Sequence, residues 1–304
     1  MEIQNLDKCP PKNGSLIKHT EMGNIIEQLY VSQRNSKQTI QMLPGGEQYV
    51  ILSSGEVVDI IPHESRSESV KNLRKTFTRL RALINTNIVD VSHVRWITLT
   101  YAENMTDTER LYKDFEKFNK RFQYFCQKSN YAKPEYIVVM EPQRRGAWHA
   151  HLLYIFPSVA PFIPNSVLAD IWGFGFVNIQ ALDYVDNVGA YLTAYLGDLD
   201  LSECDFDTFG YEIKEVAIPD ENGNLHKKRF VKGARLRLYP PKFNIYRHSR
   251  GIKSPVSFYV DQAEAETMVS GYCKTYERTL RLTDPDSNFD CIVNKSYYNK
   301  LRKS

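Results

Sequence analysis

No apolar run in the 304 residues approaches the 18 or so that a membrane-spanning helix needs, so passage through a bilayer on helices is not expected. The N-terminus, Met1-Glu2-Ile3-Gln4, lacks the charged-then-apolar pattern of a secretory signal, and a cytoplasmic setting is expected. Cysteine is sparse. Cys9, Cys126, Cys204, Cys273 and Cys291 lie far apart and include no Cys-x-x-Cys pair, which excludes a thiolate zinc site of the usual spacing and fits free thiols in a reducing cytosol. No Gly-x-x-x-x-Gly-Lys-Ser/Thr segment occurs, so a P-loop nucleotide motor is excluded from this chain. A large excess of one charge is also missing, since the net charge is +3.

What is present is charge segregated along the chain. Lys227, Lys228, Arg229, Lys232, Arg235, Arg237, Lys242, Arg247, Arg250 and Lys253 follow one another with no acid between them. Arg66 to Arg81 holds Lys71, Arg74, Lys75 and Arg79 against Glu68 alone. From Asp198 to Glu215 the sign reverses, with Lys214 the one cation. Basic segments on a nearly neutral chain suit a polyanion-binding surface; on charge alone a solvated face fits equally well. With 42% hydrophobic residues the chain can bury one large core or two modest ones.

The patterning reads as three consecutive parts: an N-terminal extension (1–90), a central α/β block (91–200) and a basic C-terminal extension (201–304). In the first, Tyr49 to Leu52 and Val57 to Ile61 flank Ser53-Ser54-Gly55 as a hairpin. Val70, Leu73, Phe77, Leu80 and Ile84 then give helical spacing, with Ser65 or Ser67 as a cap. In the second, Trp96–Tyr101 reads as a strand with threonines on one face. Thr106-x-x-Glu109 offers a capping box before a helix through Leu111, Phe115, Phe118, Phe122 and Phe125. Strands over Tyr136–Glu141 and Trp148–Ile155, a helix near Ser166–Trp172, a strand at Phe176–Gln180 and a helix from Asp183 to Leu196 complete the block. The order βαββαβ predicts an α+β fold with a ferredoxin-like split βαβ sheet, its first and third strands adjacent in the centre and its second strand flanking the third.

Three groups of residues carry chemistry. His149-Ala150-His151 lies inside an apolar strand, and the two-residue period of a strand points both imidazoles to one face, where they can share a divalent cation. Glu141 ends the strand that hairpins back onto them and brings a carboxylate near. Two nitrogens and one oxygen, with positions open for water and phosphate, suit Mn²⁺ or Mg²⁺. Tyr191 and Tyr195 stand four apart and share a helix face. Tyrosines at that spacing are also common as packing residues, and spacing alone does not make them nucleophiles.

Taken in order, Trp96-Ile97-Thr98-Leu99-Thr100, Glu141 with His149-Ala150-His151, and Tyr191-x-x-x-Tyr195 resemble the three motifs of the HUH endonuclease superfamily. The resemblance spans about Trp96 to Leu196. With histidines ahead of tyrosine, the order is that of rolling-circle replication initiators rather than of conjugative relaxases. The stretch Leu238-Tyr239-Pro240-Pro241-Lys242-Phe243 is similar to initiators from plasmids and phages of Gram-positive bacteria. The resemblance implies metal-dependent nicking of single-stranded or hairpin origin DNA. His149, His151 and Glu141 would hold the metal and Tyr191 would attack, with Tyr195 as a second nucleophile. The product would be a 5′-phosphotyrosine and a free 3′-hydroxyl. Arg74, Lys75, Arg79, Arg144, Arg145, Lys227, Lys228, Arg229, Lys232, Arg235 and Arg237 would bind DNA. A separate helicase, a DNA polymerase and a single-strand binding protein would be partners. The family's tyrosine motif often has a lysine before its second tyrosine position; here Ala194 stands there, and a cation from the basic C-terminal stretch would have to replace it. A non-enzymatic DNA-binding protein, a transposase or mobilisation relaxase, and a metal hydrolase using water remain alternatives.

Overall fold

The computed structural model describes residues 2–7, 11, 14–33, 39–60, 70–143, 145–182, 185–204, 213–219, 225–240, 242–285 and 289–303. Ser65, Ser67, Cys9, Arg144 and Asp183 lie outside them, as do Asp205, Asp207 and Glu212 of the acidic run and the side chains of Arg74, Tyr195 and Arg237.

The chain folds as two compact units, residues 1–63 with 255–304, and residues 64–254. The first opens with β1 (Glu2–Leu6), β2 (Leu16–Met22) and β3 (Ile25–Val31). A small three-stranded sheet follows: β4 (Ile40–Met42), β5 (Gln48–Ile51) and β6 (Val57–Asp59). The hairpin expected between Tyr49 and Ile61 is β5–β6, with β4 added on its other side.

The second unit runs α1 (Val70–Asn87), β7 (Val94–Tyr101), α2 (Thr108–Lys128), β8 (Glu135–Pro142), β9 (Trp148–Ile155), α3 (Asn165–Trp172), β10 (Gly175–Gln180) and α4 (Val188–Gly197). Then come β11 (Leu199–Asp200), β12 (Ile213–Pro219), β13 (Leu225–Val231) and β14 (Tyr246–His248). The chain returns to the first unit with β15 (Val256–Asp261), α5 (Gln262–Met268), β16 (Tyr272–Asp284) and β17 (Phe289–Lys303). These last strands close a six-stranded sheet ordered β1-β16-β17-β3-β2-β15. Backbone pairing of β17 with β3 and of β15 with β2 joins the two ends of the chain. The compact units therefore do not follow the three consecutive parts read from the sequence. The helix α1, assigned there to an N-terminal extension, belongs with the central block.

That block is an α+β fold as expected. Its five-stranded sheet is ordered β10-β7-β9-β8-β14 with every neighbour antiparallel. The first four strands give the ferredoxin-like order, first and third adjacent and second flanking the third. The fifth, β14, comes from the basic C-terminal stretch and pairs Tyr246 with Val139.

One sheet face is apolar. Leu99, Ala150, Leu152, Tyr154, Val138 and Met140 are almost fully buried, and Phe115, Phe118 and Phe122 of α2 are buried with them. Phe122 stacks on Tyr154 at 4.2 Å between ring centroids. The Tyr154 hydroxyl keeps a partner by donating to Asn119 Oδ1 at 2.9 Å. Each such aromatic stabilises the unit by roughly 1.5–3 kcal/mol relative to exposure, which fixes the sheet as a rigid platform. At the edge, Gly175 enters β10 at φ +155, and a Cβ there would sit 2.4 Å from both Ala102 N and Thr100 O. Only glycine lets β10 run this close to the end of β7.

Two helix starts differ from expectation. The cap of α2 is Asp107, not Thr106: its Oδ1 accepts from Glu109 N at 2.8 Å and Arg110 N at 3.1 Å. A carboxylate next to the first turn outcompetes the hydroxyl one residue earlier. Helix α4 begins at Val188 rather than Asp183, because Asn187 takes the cap by accepting from Ala190 N.

Candidate metal centre and tyrosine helix

The second face of the same sheet carries the candidate site. Register places Thr98 opposite His151, Thr100 opposite His149, and Glu141 opposite His149. Directly paired residues point to one face. Trp96, Thr98, His149, His151 and Glu141 therefore project together, away from α2. The donor atoms of Glu141, His149 and His151 all lie within 4.8 Å of one another. Glu141 and His151 are each 3% exposed.

Each donor is held from behind. His151 Nε2 contacts Glu141 Oε2, and its Nδ1 lies 3.2 Å from the Thr98 hydroxyl. The Gln143 side-chain amide lies 3.4 Å from His149 Nδ1. His149 Nε2 is buried and has no hydrogen-bond partner. A buried imidazole nitrogen normally finds a partner, so this atom is the mark of a ligand position. Burial pushes the His149 pKa down to about 4, opposed by the Glu141 charge and reinforced by His151, Arg145 and Arg235. The ring is thus neutral near pH 7, the form that binds a cation. Burial alone would raise the Glu141 pKa. Contact with His151 and the charges of Arg235 and His149 outweigh burial and hold the carboxyl below its ordinary range.

The residues present fit a divalent ion. They supply two nitrogens and one carboxylate oxygen, ionised and close together, with a buried nitrogen left unpartnered. An all-oxygen Ca²⁺ cage or a thiolate zinc site is a different donor set.

The tyrosine helix reaches the same face. Tyr191 packs edge-on against Trp96 with ring centroids 6.0 Å apart, and Trp96 lies 6.1 Å from the His151 ring. Phenol and imidazole thus flank one indole on one side of the sheet. Helix α1 sets the height of α4. Asn85 Oδ1 accepts from Gly189 N at 2.8 Å, Asn85 Nδ2 donates to Asn187 Oδ1 at 3.0 Å, and Arg81 Nε donates to the Thr193 hydroxyl at 3.3 Å. Tyr195 lies in the same helix.

The expected DNA contacts separate into groups. Lys75 and Arg79 are exposed on α1, and Arg145 is exposed in the turn before β9. Lys227, Lys228 and Arg229 are exposed on β13, with Lys232 just beyond. Lys227 lies 3.7 Å from Glu215 and Lys228 3.7 Å from Asp200. Arg235 stands apart from all of these. Its guanidinium pairs with Glu141 Oε1, and its side chain is 13% exposed. Charge patterning placed it with the phosphate contacts; the fold brings it to the carboxylate of the metal cluster.

Four residues at the site carried no assignment from the sequence. Thr98 had a visible signal, since it lies on the polar face of its strand. Gln143, Trp96 in its bridging role, and Asp198 had none, because their significance depends on what folds against them. Tyr239, in the Pro-Pro stretch, is buried; its hydroxyl donates to Met140 O at 2.9 Å, and its ring packs on Trp148.

Residues 94–200 match the model of a protein family described as replication-associated protein, of the ORF2 type. The matched segment runs from β7 to β11 and contains Glu141, His149, His151, Tyr191 and Tyr195. No curated protein and no solved structure matches the chain. None of the helices among the described residues is long and apolar enough to cross a membrane.

Proposed function

We propose that this chain is a rolling-circle replication initiator of the HUH endonuclease type, which nicks single-stranded or hairpin origin DNA through a tyrosine. The observation that carries the reading is the Glu141–His149–His151 cluster on the sheet face that Tyr191 also occupies, inside the segment similar to replication-associated proteins.

Glu141, His149 and His151 would hold Mg²⁺ or Mn²⁺, which when bound supplies Lewis-acid polarisation of the scissile phosphate. The rest falls to the chain itself. Tyr191 presents its phenol beside Trp96, and the indole and α1 fix its position. The phenol oxygen forms a bond to phosphorus while the bond from phosphorus to the 3′ oxygen breaks. The phenolic proton leaves, and the 3′ oxygen takes one up. A 5′-phosphotyrosine and a 3′-hydroxyl result, and the phosphodiester energy is conserved for later joining. Tyr195, one helical turn on, would make the second cleavage that ends a round.

Lys75, Arg79, Arg145, Lys227, Lys228, Arg229 and Lys232 would track the phosphates without reading sequence. A cleft of about 510 Å³ lined by Thr76, Arg79, Tyr136, Tyr246, Arg247 and His248 supports a strand path along the β14 edge, because it sets cations beside aromatic faces. A host helicase, polymerase and single-strand binding protein would act with it in the cytoplasm of a Gram-positive host of the plasmid or phage.

The test is covalent trapping. With Mn²⁺ and a pool of random-sequence single-stranded oligonucleotides, the chain should acquire a nucleotide adduct, located by mass spectrometry on Tyr191. Tyr191→Phe should remove that adduct. His151→Ala should reduce its formation at least about 1,000-fold while leaving DNA retention nearly intact. DNA bound without any adduct would make the chain a non-enzymatic binding protein. DNA cut without an adduct, undiminished in Tyr191→Phe, would make it a metal hydrolase.

A further inference from the structure

The Arg235 side chain joins the two halves of the site. It is carried on the short 3₁₀ turn Ala234–Leu238, which follows Gly233 in the left-handed conformation at φ 72. The turn is fastened to the end of the tyrosine helix: Gly233 N donates to Asp198 Oδ1 at 2.8 Å, and Arg235 Nε donates to Asp198 O at 3.2 Å. Asp198 is the C-cap residue of α4. From there the guanidinium extends to Glu141 Oε1, while Glu141 Oε2 faces His151. One planar cation thus contacts both a carboxylate of the metal cluster and the backbone at the end of the helix that displays Tyr191.

We propose that Arg235 is a positioning residue for the nicking reaction, holding Glu141 to one-oxygen coordination of the metal and fixing the tyrosine helix relative to it. The proposal rests on the nicking function proposed above and adds to it a residue outside the matched segment. Its physical basis is the fork of donors. Arginine can present Nε and Nη1 to two acceptors in fixed geometry, which a lysine ammonium on a flexible stem does not reproduce. With Oε1 engaged, only Oε2 is directed at the imidazoles. The nearby positive charge also keeps the cluster from binding its ion too tightly. The same cation lies between the carboxylate and the helix end, where the lysine missing at position 194 would otherwise supply positive charge.

The proposal makes metal binding and chemistry move in opposite directions, which a loss of fold would not do. In Arg235→Met the Glu141 carboxylate is released to bind with both oxygens. Mn²⁺ affinity, measured by titration calorimetry and by the Mn²⁺ electron paramagnetic resonance signal, should equal or exceed that of the wild type. Adduct formation on the random single-stranded pool should fall at least about 100-fold. Arg235→Lys keeps the charge without the fork. It should bind Mn²⁺ like the wild type and form adduct about 10-fold slower, through the rate at saturating DNA rather than through DNA affinity.

Two results would overturn the proposal. One is wild-type adduct formation by Arg235→Met. The other is Mn²⁺ affinity falling in step with activity in both variants, which would make Arg235 a structural support of Glu141 alone. A wild-type chain that binds Mn²⁺ but yields no adduct overturns the nicking function itself and is distinguished by needing no variant at all.

Discussion

His149 shows how a single side chain is tuned by its setting. The strand places it where Glu141 is opposite and Arg145 and Arg235 are near, and burial brings its pKa to about 4. An unfolded chain would take up that proton near pH 6.5. Between pH 6.5 and 4 the unfolded state therefore binds more protons than the folded state, and stability is lost as pH falls. Below pH 4 both states are protonated at this position and the loss stops. Summed over the shift, the effect is about 3 kcal/mol. Glu141, held below the ordinary carboxylate range, acts with the same sign, its contribution disappearing as pH drops through its own folded value. Denaturant unfolding in EDTA at pH 7, 5.5 and 4.5 should show this decline, and His149→Gln should flatten it between pH 6.5 and 4 while leaving the more acidic part. An unchanged profile in the variant would mean that the imidazole is not desolvated as described. At this scale the sequence was informative: two histidines and an acid in paired strands were legible from period-two spacing and a short turn. Arg235 was not, because nothing local distinguishes it from its basic neighbours, and its acceptor Glu141 is far along the chain.

At the scale of elements, the position of α4 depends on one close approach. A Cβ on Gly189 would lie 2.5 Å from Arg81 O and 2.6 Å from Asn85 Oδ1, both on α1. Gly197, at the other end of the same helix, would meet only the Phe77 ring, at 3.7 Å. The two glycines are therefore expected to respond oppositely to the same substitution. Gly189→Ala forces α1 and α4 apart and should cost about 1–3 kcal/mol, lowering the melting temperature and slowing adduct formation as Tyr191 shifts from Trp96. Gly197→Ala gains helix propensity, up to about 1 kcal/mol, and should be neutral or stabilising with adduct formation unchanged. Equal melting temperatures for the two variants would contradict the packing described. The helices and central strands were legible from periodicity, and the amphipathic pattern of Phe115, Phe118 and Phe122 found the core face correctly. Helix starts were less legible because neighbouring residues compete for one cap: Asp107 displaced Thr106, and Asn187 set a later start for α4. The edge strand β14 was missed, since three residues, Tyr246 to His248, carry no period of their own and become a strand only by pairing with β8.

At the scale of the whole molecule, the least legible feature is that the two ends of the chain form one sheet. Pairing of β1 with β16 joins Glu2 to Thr283, a contact that no local pattern announces and whose loop-closure cost is met only once the sheet forms. The intervening residues 64–254 carry their own core. Its buried members run from Leu80 to Ile252 and include none from the first unit. They also carry every donor of the candidate metal centre, the tyrosine helix, Arg235 and the exposed cations of α1 and β13. Residues 64–254 expressed alone should therefore fold cooperatively and bind Mn²⁺ within about 3-fold of the full chain, since the ligands, Thr98, Gln143 and Arg235 all lie within that unit and a metal site is as strong as its preformed geometry. The matching fragment lacking its last segment, residues 64–232, omits β14, Arg235 and Tyr239 and should lose a cooperative transition, because the edge of β8 and the Trp148 ring would be uncovered. Circular dichroism melting of the two fragments, with Mn²⁺ titration of the longer one, decides the matter. An unfolded 64–254 fragment would mean that the strands at the chain ends support the site as well as each other.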